Sequence, residues 1–184
     1  TDGNYQAGQH RDVFNAATLA SHGFVAAAIG DWIGRHPPVP DAVLVSTAVR
    51  AQQTWEIARE AMIKAIGDHG PQPRVELLPE LYGAEPTQLL QIIRMADPAR
   101  LMVIGHNPGM HELALMLAGS SEPSAKKAIE DNLPTGGLAM IDFAVAGWGE
   151  VAFRGGNLVR FTSPKLLKQA LFDACFCLFG PGDE

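Results

Sequence analysis

Apolar and polar positions along the chain alternate in blocks that predict strands and helices in turn. Three short apolar runs, residues 42–46, 75–78 and 101–104, have the length of buried strands. Each is followed by a stretch with helical periodicity, and a further helix is predicted before the first of them. The predicted helices run from Leu19 to the Pro37-Pro38 pair and over residues 49–66, 87–95, 110–118 and 122–131.

The pattern changes after residue 137, where short runs of alternating residues are separated by glycine-rich turns. Residues 138–143, 151–154 and 158–162 are predicted to be strands joined as hairpins. Strands that alternate with helices, followed by antiparallel strands, predict an α/β fold. We expect a three-layer sandwich whose mostly parallel central sheet is covered by helices on both faces.

The two ends of the chain differ from this pattern. Residues 1–15 are polar and are predicted to be a loop, although a chain of this class normally opens on a strand. We therefore expect a first strand upstream of Thr1. Residues 168–184 form an additional tail with an apolar stretch, for which the sequence suggests packing on the body or against another chain.

Length and composition narrow the class of protein. The 184 residues are enough for one domain with a substantial core, and 47% of them are hydrophobic. The net charge of −6 is spread without a basic run, which argues against nucleic acid and anionic membranes as partners. The two cysteines, Cys175 and Cys177, are too close for an ordinary disulfide framework and favour a reducing cytoplasm.

Two donor side chains follow predicted buried strands at the point where a helix begins. Arg50 lies in the first turn of the helix predicted after residue 46, where Ser46 or Thr47 is expected to cap that helix. His106 follows the central strand directly. Asn107 is expected to be the N-cap of the next helix, with Pro108 in its first position.

Helix starts at the carboxyl ends of strands attract anions, so these residues can reach a phosphate. The alternative is that His106 is a structural histidine at a turn and Arg50 is solvated or paired with an acid. Signatures of P-loops, dinucleotide folds, nucleophile elbows and zincins are absent. The histidines have no spacing typical of a metal site. The remaining prediction is phosphate chemistry without a metal or cofactor.

Two segments resemble motifs of the histidine phosphatase superfamily. Residues 46–54 match its S-x-x-x-R-A-x-Q-T segment, and residues 105–109 match the G-H-N-P-G variant typical of SixA-type phosphohistidine phosphatases. The resemblance extends from about Thr18 to Leu167. Supporting matches are Thr18-Leu19 with Gly23, Pro40-Asp41, Leu81-Tyr82-Gly83-Ala84, Leu133-Pro134-Thr135 and Leu158-Val159-Arg160-Phe161.

The resemblance implies that Arg50, His106 and Asn107 bind phosphate and that Arg50 and His106 are catalytic. It also implies a nucleophilic histidine in an Arg-His pair at the end of the first strand. This chain has His10-Arg11 in the reverse order, so the pair is expected on the upstream strand, with substitution by His10-Arg11 as the alternative. Glu80 and Glu85 are candidates for the proton donor, weighed against a role as ordinary surface acids.

Three functions remain open at this point. The preferred hypothesis is a phosphohistidine phosphatase that acts on a histidine-phosphorylated protein, because little chain is available for a lid between the third and central strands. The second is a phosphomonoesterase or mutase acting on a small phosphate ester. The third is a non-catalytic phosphate-binding module, which applies if the chain natively begins at Thr1.

Overall fold

The computed structural model describes residues 11–17, 23–67 and 70–167, with the backbone alone described for 11–17, 23 and 24. Seven strands form one sheet: β1 (Arg11–Ala17), β2 (Ala42–Ser46), β3 (Arg74–Leu78), β4 (Arg100–Gly105), β5 (Ala118–Ser121), β6 (Leu138–Phe143) and β7 (Gly156–Thr162). The helices α1 (Gly23–Arg35), α2 (Val49–Ile66), α3 (Pro86–Arg94), α4 (Gly109–Leu117) and α5 (Pro123–Asp131) accompany the sheet, with short 3-10 helices at Pro79–Leu81 and Trp148–Glu150 and a helical turn at residues 164–167.

The strand order is β3-β2-β4-β1-β6-β7-β5. The first four strands in that order are mutually parallel, β6 runs antiparallel to both β1 and β7, and β5 is parallel to β7. The predicted fold class, a mostly parallel sheet between helical layers, is therefore confirmed. None of the described helices has the length and apolar character needed to cross a bilayer.

Two apolar layers receive alternate side chains of the central strands, because successive residues of a strand point to opposite faces. Leu101 and Val103 of β4 pack with α3, α4 and α5, whereas Met102 and Ile104 pack with α1 and α2. The same alternation occurs in β2. Continuous apolar runs therefore mark these strands, since both of their faces are buried.

The amino ends of β2 and β4 are joined by a charged pair on neighbouring strands. Arg100 donates from its side chain to both carboxylate oxygens of Asp41, and the Arg100 N–H donates to Asp41 Oδ2 at 3.0 Å. The Asp41 N–H in turn donates to the Arg100 carbonyl at 2.9 Å. This group of contacts fixes the register of the two strands at one edge of the sheet.

Helices α1 and α2 approach closely through a glycine. A β-carbon on Gly30 would lie 2.0 Å from the carbonyl oxygen of Ala58, and one on Gly34 would lie 2.6 Å from that of Met62. No side chain larger than hydrogen fits between the two backbones at Gly30 without a shift. The spacing of these glycines, four residues apart, places both on the face that meets α2.

Strand β1 corrects the prediction that residues 1–15 are a loop. Residues 11–17 pair in parallel with β4 and antiparallel with β6, so both edges of this polar segment are hydrogen-bonded. Tertiary pairing outweighs the weak strand propensity of the sequence. Residues 1–10 and the tail 168–184 lie outside the described residues, and a strand upstream of Thr1 stays a prediction.

Two further predictions about strands are wrong. Residues 151–154 are not a strand, because the Val151 carbonyl accepts from Arg94 Nε at 2.7 Å and the Val151 N–H donates to the Trp148 carbonyl at 3.0 Å, which closes a turn. Strand β5 was not predicted, since its first residue, Ala118, was expected to end a helix and residues 119–121 were assigned to no element. Its Gly119 sits where a β-carbon would lie 1.8 Å from the Arg154 carbonyl oxygen.

Candidate active site

Arg50 and His106 meet at the carboxyl edge of the sheet. Strands β2 and β4 are parallel neighbours that end side by side, with Val45 opposite Ile104. Arg50 is the second residue of α2, which follows β2, and His106 comes directly after β4. The guanidinium Nη2 lies 2.8 Å from the imidazole Nδ1. Arg50 and His106 are 56 residues apart in the sequence, and they meet because β2 and β4 end at the same edge of the sheet.

The partners of His106 define its protonation state. Arginine has no acceptor, so its N–H donates to Nδ1, which must carry a lone pair. Nε2 lies 2.8 Å from Ser46 Oγ and therefore holds the ring proton that is donated to that hydroxyl. Burial, and secondly the charge of Arg50, lower the pKa of His106 below its ordinary value. The imidazole is accordingly neutral at pH 7.

Several residues of the segment 46–54 make contacts that hold the start of α2 in place. Ser46 is fully buried, and its Oγ accepts the hydrogen bond from His106 Nε2. Ala51 is fully buried against the sheet. Thr54 Oγ1 donates to the Arg50 carbonyl at 2.8 Å, and Gln52 Nε2 donates to the Thr47 carbonyl at 2.7 Å. These contacts hold the first turn of α2, and with it Arg50, in place.

The expected caps of two helices are corrected. Ala48 occupies the N-cap position of α2 and no side chain caps it, while Ser46 Oγ contacts His106 Nε2 at 2.8 Å and accepts from the Ala48 N–H at 3.4 Å. Pro108 is the N-cap residue of α4. Asn107 does not cap that helix, since its Nδ2 donates to the Leu133 carbonyl at 2.7 Å. A role for Asn107 in phosphate binding stays a prediction.

Tyr82 is a site residue that sequence reasoning missed. Its ring centroid lies 5.0 Å from that of His106 in an edge arrangement, and Arg50 Cζ lies 5.4 Å from the same centroid. The ring is 61% exposed. The available signal was its place in the Leu81-Tyr82-Gly83-Ala84 match, but nothing local to that segment shows that it reaches the end of β4.

A close backbone contact holds the Tyr82 segment against α4. A β-carbon on Gly109, the first residue of α4, would lie 2.1 Å from the Ala84 carbonyl oxygen. Gly83 has φ +68°, a left-handed conformation that side chains other than hydrogen disfavour. Both glycines are therefore required for the turn that brings Tyr82 beside His106.

Glu80 and Glu85, the two candidates for the proton donor, have partners away from the Arg50–His106 pair. Glu85 and Gln88 form a capping box at the start of α3, in which the Glu85 N–H donates to Gln88 Oε1 at 2.9 Å. Glu80 lines a cavity of about 230 Å³ together with Arg74 and Asp97, and neither Arg50 nor His106 lines that cavity. The structure does not bring either carboxylate together with the Arg50–His106 pair, and their role as proton donors stays a prediction.

Arg11 lies at the wrong edge of the sheet for the alternative nucleophile pair. It begins β1, whereas Ala17 at the other end pairs with Gly105, next to His106. Seven strand residues span roughly 20 Å. Arg11 is therefore not beside Arg50, and His10 lies outside the described residues.

The assembled site offers hydrogen-bond donors to a small anion at an exposed rim. Arg50 and His106 are half-buried, so they are accessible yet partly desolvated. A guanidinium binds a tetrahedral oxyanion through two parallel N–H groups. Among the described residues, no three His, Cys, Asp or Glu side chains converge as metal ligands.

A protein of known sequence is similar to this chain over most of its length. The chain is 37% identical over 153 residues to the uncharacterised protein Rv1276c of Mycobacterium tuberculosis, and the match covers 80% of this chain and 89% of that protein. No protein-family model matches the chain.

Solved structures with the same fold were also found. The SixA protein of Nakamurella multipartitia has a TM-score of 0.67 at 23% identity and covers 84% of this chain and 96% of that one. The protein histidine phosphatase SixA complexed with tungstate has a TM-score of 0.57 at 19% identity, covering 84% and 97%. Phosphoglycerate mutase from Plasmodium falciparum has a TM-score of 0.51 at 12% identity, covering 76% and 86%. The chain thus belongs to one family with the mycobacterial protein Rv1276c and has the fold of the histidine phosphatase superfamily.

Proposed function

We propose that the protein is a phosphatase that removes a phosphoryl group from a histidine of another protein. The observation that carries the proposal is the contact between Arg50 Nη2 and His106 Nδ1 at the carboxyl edge of the sheet. Arg50 has further N–H groups at this half-buried rim, and His106 gains a donor at Nδ1 when it is protonated, so together they can bind the oxygens of a phosphoryl group.

The charges of Arg50 and His106 favour the binding of an anion. Arg50 is permanently charged and supplies five N–H donors, of which one faces Nδ1. His106 is neutral without a ligand, and a bound oxyanion favours its charged form because opposite charges attract at short distance. Protonated His106 donates from both nitrogens, so its hydrogen bond to the phosphoryl oxygens strengthens as negative charge develops.

The openness of the site supports a protein substrate. Between β3 and β4 the chain forms only the turn Pro79–Leu81 and helix α3, and α3 packs against α4. The residue of this connection that reaches the pair is the exposed Tyr82, and Arg50 and His106 remain half-buried beside it. A phosphoryl group on the surface of a folded protein can reach such a rim, whereas a small metabolite gains little enclosure there.

The reaction proposed has two steps and passes through a phosphorylated histidine of the enzyme. In the first, the P–N bond of the substrate breaks, its imidazole takes up a proton, and a P–N bond forms to the enzyme histidine. In the second, water attacks phosphorus, inorganic phosphate leaves and the enzyme histidine is regenerated. Both ring nitrogens of His106 are engaged, by Arg50 and by Ser46, so neither is placed to attack phosphorus. His106 is therefore proposed to bind the oxyanion in its protonated form, and the nucleophile is proposed to be another histidine.

Binding is tested with tungstate, the anion present in the SixA structure of the same fold. We expect saturable tungstate binding by calorimetry, weakened about tenfold or more in Arg50→Ala and His106→Ala, since a hydrogen bond to a charged group is lost in each. Arg59→Ala is the matched control, because Arg59 lies on the same helix and its Nη2 donates to Gln72 Oε1. Unchanged tungstate affinity in both site variants would contradict the proposal.

Turnover is tested with a histidine-phosphorylated protein and with small phosphate esters. We expect faster release of phosphate from the protein substrate and a labelled enzyme histidine after rapid quenching, which peptide mapping would locate. Faster hydrolysis of the small esters would favour a phosphomonoesterase. Tungstate binding without any turnover would identify a phosphate-binding module instead.

A further inference from the structure

The exposed ring of Tyr82 is placed by its neighbours in the chain and not by burial of the ring itself. Leu81 on one side is 1% exposed, and Ala84 on the other has its carbonyl against Gly109 of α4. Gly83 supplies the left-handed turn between them. The segment is thus anchored at both ends while its aromatic side chain, 61% exposed, is presented to solvent beside the two donors.

The ring has a defined relation to both donors. The guanidinium of Arg50 lies over the ring, with Cζ at 5.4 Å from the centroid, and His106 meets it in an edge arrangement at 5.0 Å. A group attached to a phosphoryl bound by these donors therefore leaves the site next to Tyr82.

We propose that Tyr82 is a specificity-determining residue that stacks against a planar ring on the leaving group, such as the imidazole of a phosphorylated histidine. This inference rests on the proposed function, because it takes the phosphoryl site to be the Arg50–His106 pair. Aromatic rings favour offset or edge contacts at centroid distances of about 4.5–7 Å, and a Tyr ring that is already fixed loses little freedom in forming one. Leaving groups without a ring gain no such contact.

The test compares two phosphonates that share an anionic head and differ in the attached group, namely phenylphosphonate and methylphosphonate. We expect the wild-type chain to bind phenylphosphonate about three- to tenfold more tightly, the range given by an aromatic pair. Tyr82→Phe should keep this ratio, whereas Tyr82→Ala and Tyr82→Leu should reduce it towards one. The leucine variant controls for loss of apolar bulk.

The ratio of the affinities for phenylphosphonate and methylphosphonate distinguishes recognition of the phenyl ring from a loss of affinity for the shared anionic head. Substitution of Tyr82 can change the affinity for both phosphonates by releasing Arg50, but that effect cancels in the ratio. A ratio near one in the wild type, or one that survives in Tyr82→Ala, would overturn the inference while tungstate binding still supported the phosphoryl site. Absence of tungstate binding in the wild type would instead remove the proposed function and this inference together.

Discussion

The two nitrogens of His106 face partners of different kind, a permanent cation and a neutral hydroxyl. Nδ1 accepts from Arg50 and Nε2 donates to Ser46, an arrangement that a charged imidazole could not keep. The lowered pKa of His106 has burial as its larger cause and the charge of Arg50 as its second. Because an anion favours the charged ring, binding of tungstate should be coupled to uptake of a proton.

Removal of the Arg50 charge should shift the titration of His106. In Arg50→Gln we expect the pKa of His106 to rise but to stay below its ordinary value, since burial remains. Titration of the imidazole by NMR measures this directly. Arg59→Gln, on the same helix but hydrogen-bonded to Gln72, should leave the titration unchanged. A lower or unaltered pKa in Arg50→Gln would show that Arg50 does not act on the ring.

Arg50 and His106 could be identified from sequence because each lies shortly after an apolar run long enough to be a buried strand, where a helix begins. Tyr82 could not, since its place depends on the left-handed turn at Gly83 and on the contact between Gly109 and Ala84. Asn107 was misjudged as a cap because its true partner, the Leu133 carbonyl, is 26 residues away. Local pattern identifies residues at strand ends, and tertiary contacts decide what their side chains bind.

The packing of α1 on α2 depends on the absence of a side chain at Gly30. In Gly30→Ala the added methyl would overlap the Ala58 carbonyl oxygen, so we expect a loss of about 1–3 kcal/mol in the free energy of unfolding, although alanine has the better helix propensity. Urea denaturation measures the change.

Gly147→Ala is the control for this substitution, because a β-carbon there meets nothing within 4 Å. It should alter the free energy of unfolding by no more than about 0.5 kcal/mol. Equal stability of Gly30→Ala and the wild type would mean that α1 and α2 can separate without cost.

Elements with a long apolar run or a regular helical pattern were the easiest to predict. The bounds of β2, α2 and β6 agree with the residues expected from periodicity, because continuous apolar runs and regular helical spacing leave few alternatives. Strand β1 was missed because its residues Arg11, Asp12 and Asn15 carry no strand signal, and it is a strand through pairing with β4 and β6 on either side. Short β5 was missed for the same reason, as its partner β7 lies far along the chain.

The neutral state of His106 also affects the whole folded molecule. An unfolded chain titrates this histidine near its ordinary pKa of about 6.5, whereas the folded chain does so at lower pH. Between these two pKa values the unfolded state binds more protons, so the free energy of unfolding falls as the pH falls. The contribution is complete above the unfolded pKa and is lost towards the folded one.

His106→Gln removes this titration while keeping a side chain that can donate to Ser46. We therefore expect the variant to lose less stability than the wild type between about pH 7.5 and pH 5.5, as measured by urea denaturation at each pH. Parallel loss in the two proteins would indicate that His106 has the same proton affinity folded and unfolded.

The Asp41–Arg100 pair, described above as the contact that fixes register, lies at the amino edge of the sheet, opposite the two donors. Alignment of the central strands is thus secured without help from Arg50 and His106, the residues proposed to bind the phosphoryl group. Substitutions in segments around the rim, including the one that presents Tyr82, therefore leave the contacts that align the central strands unchanged. For the proposed phosphatase, a change in the preferred phosphoryl donor would therefore require exchange of rim residues alone, with Arg50 and His106 retained.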